Sequence, residues 1–268
     1  MAAGHWLRYR PAMDERTFQL LRVAAFVVAV ALALLLQRRS PHARLRGSWL
    51  VNGGLWLLNA LVVGLVCGAC GFSVAEWAAR RHVGLLNWAT APTWVAMVGA
   101  IVALDLVSYG WHRANHRVGL LWRFHQVHHS DPAFTTTTGV RFHPGELLLA
   151  LPVRLGAVIV LGAPAAAVLA FEVVFTLANL VEHGDIDLPR RNERIVARLF
   201  VTPALHRRHH TRVGPARDSN FGTIFSGWDR LLGTFTPSDS AAMVDTGLPG
   251  LSRVTLAEAL ALPLRVRQ

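Results

Sequence analysis

The stretch 147–181, LLLALPVRLGAVIVLGAPAAAVLAFEVVFTLANLV, runs for 35 residues with only two charges, Arg154 and Glu172. As one straight helix it would extend about 52 Å, against a bilayer hydrocarbon core of about 30 Å. Gly162 and Pro164 sit near its centre in LGAP, a combination that ends one helix and starts another. The stretch therefore reads as a hairpin of two antiparallel apolar helices whose outer ends return to the same side of a membrane. Counted outward from the Ala163–Pro164 turn, Arg154 and Glu172 fall nine and eight residues away, at nearly equal depth. A charge within a span is costly unless it is paired or faces a polar cavity. The two are expected to pair across the hairpin, with Glu172 facing an internal site as the competing reading.

Working outward, residues 17–37 form another apolar run, interrupted only by Arg22, while 48–75 and 83–104 hold 28 and 22 residues without a charge. Each is long enough to cross a bilayer. The first resembles a signal anchor more than a cleaved leader, because Ala31 and Ala33 are followed by further apolar residues and then Arg38 and Arg39. The fold expected is all-α and integral to the membrane, with about three to four transmembrane helices plus the apolar hairpin.

Composition agrees. Of the 268 residues 53% are hydrophobic and 16% charged, against roughly 25% charged in soluble domains. The net charge of +11 comes from 27 arginines and no lysine, which removes Schiff-base chemistry. Four arginines lie in 112–145 and twelve after 183, placing those segments on the cytoplasmic side by the positive-inside rule. Four more in residues 1–22, three of them ahead of the first span, conflict with simple alternation and leave that span's orientation open. Because the arginines follow membrane topology, nucleic-acid binding is not expected. Cys67 and Cys70, in GLVCGACG, lack polar neighbours and read as two small buried residues rather than a redox pair.

The chemistry lies in the histidines. Ten of thirteen fall between 112 and 210: His112 and His116 in WHRANHR, His125, His128 and His129 in FHQVHHS, His143 in RFHP, His183 in EHGD, and His206, His209 and His210 in LHRRHH. Spacings of three and four place such residues on one helix face, and each group sits where an apolar span meets an arginine-rich segment. Neutral imidazole suits iron, zinc, copper or nickel. Nine or ten imidazoles exceed what one four- to six-coordinate ion holds, so two metals are implied. The chain has no H-E-x-x-H, no glutamate followed three positions later by histidine, and no cysteine set for zinc or iron–sulfur clusters. A metal-binding or transport protein is the competing class, but transport would distribute ligands along the spans.

Taken in order, H-x3-H, H-x2-H-H and a last H-x2-H-H, with LLWRFHQVHHSD, RFHP, VTPALHRRHH and DSNFGTIFSGWDRLLGTF, resemble the fatty acid hydroxylase and sterol desaturase superfamily from about Asp105 to Phe235. That resemblance implies a membrane enzyme with two iron ions, for which zinc can substitute in preparations, and with dioxygen as co-substrate. It implies hydroxylation or desaturation of a fatty acyl, sterol or related lipid, with carotenoid or ether-lipid oxidation as alternatives, and electrons from a ferredoxin- or cytochrome b5-like donor. It assigns metal binding to His112, His116, His125, His128, His129, His183, His206, His209 and His210. His143 is held as a further ligand, with a cap or outer-shell role as the alternative. Many members carry another histidine where this chain has Asp187, so water or a carboxylate is expected to complete one iron.

Asp105 lies seven residues before His112, two turns deeper on the same face, and is the candidate catalytic-site acid, expected to orient a ligand from the membrane side. Asp131, Asp185, Asp218 and Asp229 are weaker candidates for that role, and Asn220 reads as a turn residue. The organisation expected is membrane-anchoring helices over 1–104, a cytosolic-facing catalytic region over 105–235 that includes the hairpin, and a surface tail over 236–268. The site is placed on the cytoplasmic face of a multi-pass protein of the bacterial inner membrane.

Overall fold

Proline and glycine set the turn of the long apolar run. The computed structural model describes residues 13–38, 48–67, 70–89, 91–237, 245–251 and 253–265, with the side chains of 63 and 65–67 left aside. Its hairpin consists of α7 (Pro144–Leu161) and α8 (Ala165–Glu182), with Gly162 between them at φ +64°. A Cβ at Gly162 would sit 2.6 Å from Asn87 Nδ2 and 2.8 Å from the Val83 carbonyl. Glycine is thus required both for the left-handed backbone and for the approach of the 83–87 loop to the hairpin tip.

The preceding helices are α1 (Glu15–Gln37), α2 (Trp49–Cys67), α3 (Cys70–Arg80), the single turn α4 (Leu85–Trp88) and α5 (Thr93–Arg117). Among the described residues four helices, α1, α5, α7 and α8, are long and apolar enough to cross a membrane, and α2 adds a shorter apolar helix. The uncharged run 83–104 does not form one helix from its start. Pro92 delays α5 to Thr93, and the helix then continues past the apolar residues to carry His112 and His116. The run 48–75 is likewise divided between α2 and α3.

Leu20, Val23, Val27 and Val28 on α1, Trp94 and Val98 on α5, and Val160 on α7 point outward, as a lipid-facing surface requires. Inside, the helices approach through small residues: Ala96 and Ala100 on α5, Ala165 and Ala167 on α8, and Ala75 and Ala78 on α3 are buried. Close backbone packing of this kind holds helices together where no hydrophobic drive separates protein from lipid.

Arg154 and Glu172 attract each other across the hairpin as expected, but the ion pair within 4 Å is made by another residue. Because α1 packs along α8, Arg22 reaches Glu172 at 3.9 Å, and the Arg154 guanidinium lies 5.1 Å over the Phe175 ring. The one charge in the first apolar run thus meets one of the two in the hairpin. Cys70 is a half-buried free thiol, and the Cys67 side chain lies outside the described residues.

Beyond the hairpin come α9 (Arg190–Val196), α10 (Pro203–His209), α11 (Gly227–Leu231) and α12 (Leu256–Ala261). No strand occurs among the described residues, only the bridges Phe200–Phe225 and Thr211–Thr246. Part of the expected surface tail is built into the fold: Ala259 and Leu262 are buried with Leu55 of α2 and with Val127 of α6 (Gly119–His129).

Candidate metal centre

Helix α5 delivers His112 and His116, α6 delivers His125, His128 and His129, the end of α8 delivers His183, and α10 with its cap delivers His206, His209 and His210. These nine gather into two groups. His112, His116, His125, His129 and His209 form one; His128, His183, His206 and His210 form the other. Each i, i+4 pair (112/116, 125/129, 206/210) stays within one group. His128 and His209, one residue away from the end of a pair, turn about 100° round the helix and serve the other group. The single shared face expected from spacing is therefore two faces, one for each group.

Five rings have their Nδ1 engaged behind the group. His112 Nδ1 donates to the Phe221 carbonyl at 2.9 Å, His183 Nδ1 to Asn179 at 2.6 Å and His209 Nδ1 to Ser219 at 2.7 Å. His125 Nδ1 meets Glu146 Oε1 at 2.8 Å and His116 Nδ1 meets Asp218 Oδ1 at 3.3 Å. A carbonyl only accepts, so the proton is on Nδ1 and the Nε2 lone pair points inward. Burial, then neighbouring imidazoles, holds His128, His129, His206 and His210 well below the usual histidine range. Burial likewise lowers His183 to about 4 and His209 to about 3, against the opposing pull of their carbonyl partners.

Those neutral rings fit a metal. In the four-histidine group, His183 Nε2 lies 3.0 Å from His206 Nε2, 3.2 Å from His128 Nε2 and 3.3 Å from His210 Nε2. A bare Nε2 can take one proton but not three, and His128 Nδ1 and His206 Nδ1 are buried without a partner. Nitrogens about 2.0–2.1 Å from a tetrahedral metal lie about 3.3–3.4 Å apart, close to the separations seen. In the five-histidine group the Nε2 atoms of His112, His125 and His209 are buried and unsatisfied, and His116 and His129 face each other Nε2 to Nε2 at 3.1 Å. A cation in each group would answer these convergent lone pairs.

Residues 97–234, which hold all nine histidines, match the fatty acid hydroxylase family. The chain belongs to that family.

Similar proteins of this fatty acid hydroxylase family are named for lipid oxidation. An ornithine lipid hydroxylase, OlsE, of Rhizobium tropici is 25% identical over 92% of this chain and 75% of its own length. An alkylglycerol monooxygenase of Danio rerio is 29% identical over 58% of this chain and 33% of its own. A cholesterol 25-hydroxylase of Rattus norvegicus is 26% identical over 57% and 54% respectively. The chain thus spans a third to a half of the latter two. No solved structure matches it.

The packing in this member of the family places three other candidates away from the two groups. His143 belongs to neither group: it caps α7, its Nδ1 accepting from the Gly145 N–H at 2.9 Å, and its Nε2 lies 3.3 Å from the Leu260 carbonyl. Asp105 touches no imidazole. Its buried carboxylate accepts from the Ile224 and Phe225 N–H groups and from Trp228 Nε1 at 3.2, 3.1 and 2.8 Å. Asp229 accepts similarly from Phe221, Gly222 and Thr234. The two acids clamp the segment whose Ser219 and Phe221 carbonyls orient His209 and His112. Asp187 is drawn to Arg207 at 2.7 Å, as is Asp185.

Asn220 does shape a turn, at φ +53°, donating to the Leu205 and Thr236 carbonyls. Asp131 accepts from Ser48, Asn52, the Ala133 N–H and Thr138, tying α2 to the end of α6. Beside it the buried Arg141 donates to Val127, Asn52 and Ser130. Burial alone would raise Asp131, but Arg141 and these donors outweigh it and hold the carboxyl low.

Sequence reasoning missed Glu146, Asn115, Asn52 and Arg141. Glu146 bonds both His125 and Asn115 Nδ2. Its signal in the sequence was an acid at the start of an apolar run, three residues after His143.

Proposed function

We propose that this chain is an oxygen-dependent di-iron membrane oxidoreductase that hydroxylates a lipid. The observation that carries the reading is the pair of groups into which nine imidazoles converge. Two irons held there would supply the oxidant for C–H cleavage, chemistry that no side chain provides. The overall reaction balances as RH + O2 + 2 e⁻ + 2 H⁺ → ROH + H2O, the electrons coming from a separate ferredoxin- or cytochrome b5-like donor.

The protein's own contribution is to hold, orient and keep dry. Carbonyl partners fix the tautomers of His112, His183 and His209. Phe142 stacks on His128 at 4.6 Å, Trp122 lies 5.0 Å from His116, and Phe134 lies 5.1 Å from His210, so apolar rings flank both groups and limit water. A lipid enters from the bilayer side, between the apolar helices that carry the ligands.

Relatives named hydroxylase or monooxygenase favour oxygen insertion over desaturation, and the 92% coverage by the ornithine lipid hydroxylase makes an ornithine lipid the first substrate to assay. The excess of arginine after residue 183 supports a cytoplasmic site in a bacterial inner membrane, where an acidic donor docks. The test is turnover of purified, iron-loaded protein under 18O2 with a reductant and lipid vesicles. Incorporation of one 18O atom into lipid supports the reading. Full iron loading without lipid oxidation across ornithine lipid, alkylglycerol and sterol substrates overturns it.

A further inference from the structure

We propose that Glu182 supplies a carboxylate oxygen to the metal of the four-histidine group. Glu182 is the last residue of α8, adjacent to His183, and its side chain is 2% exposed. Its Oε1 lies 3.7 Å from His206 Nε2 and 3.9 Å from His183 Nδ1. Its Oε2 is buried with no hydrogen-bond partner.

An unpaired carboxylate in such a place is costly, and the neighbouring aspartates avoid the cost. Asp105, Asp131 and Asp229 each receive three or more donors, and Glu146 has Asn115 and His125 on Oε1 although its Oε2 is buried without a partner. Glu182 has none of these donors; what its Oε1 approaches is the His206 and His183 rings of the four-histidine group. A divalent cation there satisfies the carboxylate and the nitrogens together.

Donor count agrees. The other group has five imidazoles and this one four. Asp187 is held by Arg207 and is not among the donors of this group. Glu182 brings the second group to five donors and adds a negative charge that offsets part of the cation's.

This inference rests on the di-iron reading, and one experiment separates the two. Full-length protein in detergent is titrated anaerobically with 57Fe²⁺, measuring the dissociation constant of each site and the Mössbauer spectrum, for wild type and Glu182→Gln. The expected result is loss of more than about a hundredfold in affinity at one site, beyond the 10–100-fold typical of a group that only backs a ligand. One ferrous doublet changes; the other, from the five-histidine group, stays and reports an intact fold. A smaller loss with both doublets unchanged overturns the proposal. Wild type binding fewer than two irons overturns the di-iron reading itself. If Glu182→Gln loses both sites, Glu182→Asp is read the same way: a change confined to one doublet supports coordination, and no change overturns it.

Discussion

His128 and His129 are neighbours in the chain, yet their rings stand at 90° with centroids 5.5 Å apart and point into different groups of imidazoles. The helical rotation of about 100° per residue makes this possible: one short helix reaches two sites. His209 and His210 repeat the device on α10 and its cap, at 81° and 5.3 Å. The two groups are in ring contact where these helices meet, His129 stacking on His210 at 4.3 Å.

Removing either neighbour should therefore empty a different site. His128→Ala is expected to lose iron from the four-histidine group and His129→Ala from the five-histidine group. Each retains about half the wild-type iron, inserts normally into membranes and has no hydroxylase turnover. Iron analysis with Mössbauer spectroscopy distinguishes them; loss of the same doublet in both variants would contradict the partition.

His143→Ala tests the cap. Both irons are expected to remain, because His143 reaches neither group, while the melting temperature falls by an amount corresponding to about 1 kcal/mol for a lost helix cap. Loss of an iron would restore His143 as a ligand.

Asp105→Asn keeps the shape but leaves one oxygen to receive three N–H donors. A cost of about 1–3 kcal/mol is expected for the buried donors left unmade, with wild-type iron content at saturating metal. Thermal unfolding and metal analysis on the same preparation check both. An unchanged melting point with depleted iron would make Asp105 a ligand-orienting acid after all.

Glu146→Gln removes the charge behind His125. Iron affinity at the five-histidine group is expected to fall about 10–100-fold, leaving the other group unaffected. Anaerobic iron titration resolves the two sites, and equal weakening of both would refute a local effect.

The metal-free protein should lose stability in acid. His183 titrates at about 4 and His209 at about 3 in the folded chain, below the ordinary 6.5. As pH falls through 6.5 the unfolded chain takes up protons first, so the contribution of these neutral rings is complete above 6.5 and shrinks toward 4 and 3. Melting temperatures of metal-free protein measured at pH 7.5 and pH 5 should differ, the acid value being lower; a flat profile would argue against neutral buried imidazoles.

The hairpin was readable in residues 147–181 because its turn is local: Gly162 supplies a left-handed backbone and Pro164 restarts the helix. The nine histidines were readable because their spacing is helical and their number exceeds one metal's capacity. The pairing of Glu172 was not, since it depends on which helix packs beside α8. The Arg22 contact is set between helices far apart in the chain, where equal depth within the hairpin says nothing about direction.

Sequence by itself determined that this is an apolar helical chain with a histidine-rich site at its span ends, because periodicity, turn residues and ligand spacing are properties of neighbouring residues. Only tertiary structure decided how those histidines divide, that His143 is a cap, that Asp105 and Asp229 hold a loop, and that Glu146 and Glu182 stand behind and beside the rings. Those assignments depend on where side chains converge when α5, α6, α8 and α10 meet. Burial there makes an unmade hydrogen bond costly, and that cost selects each partner.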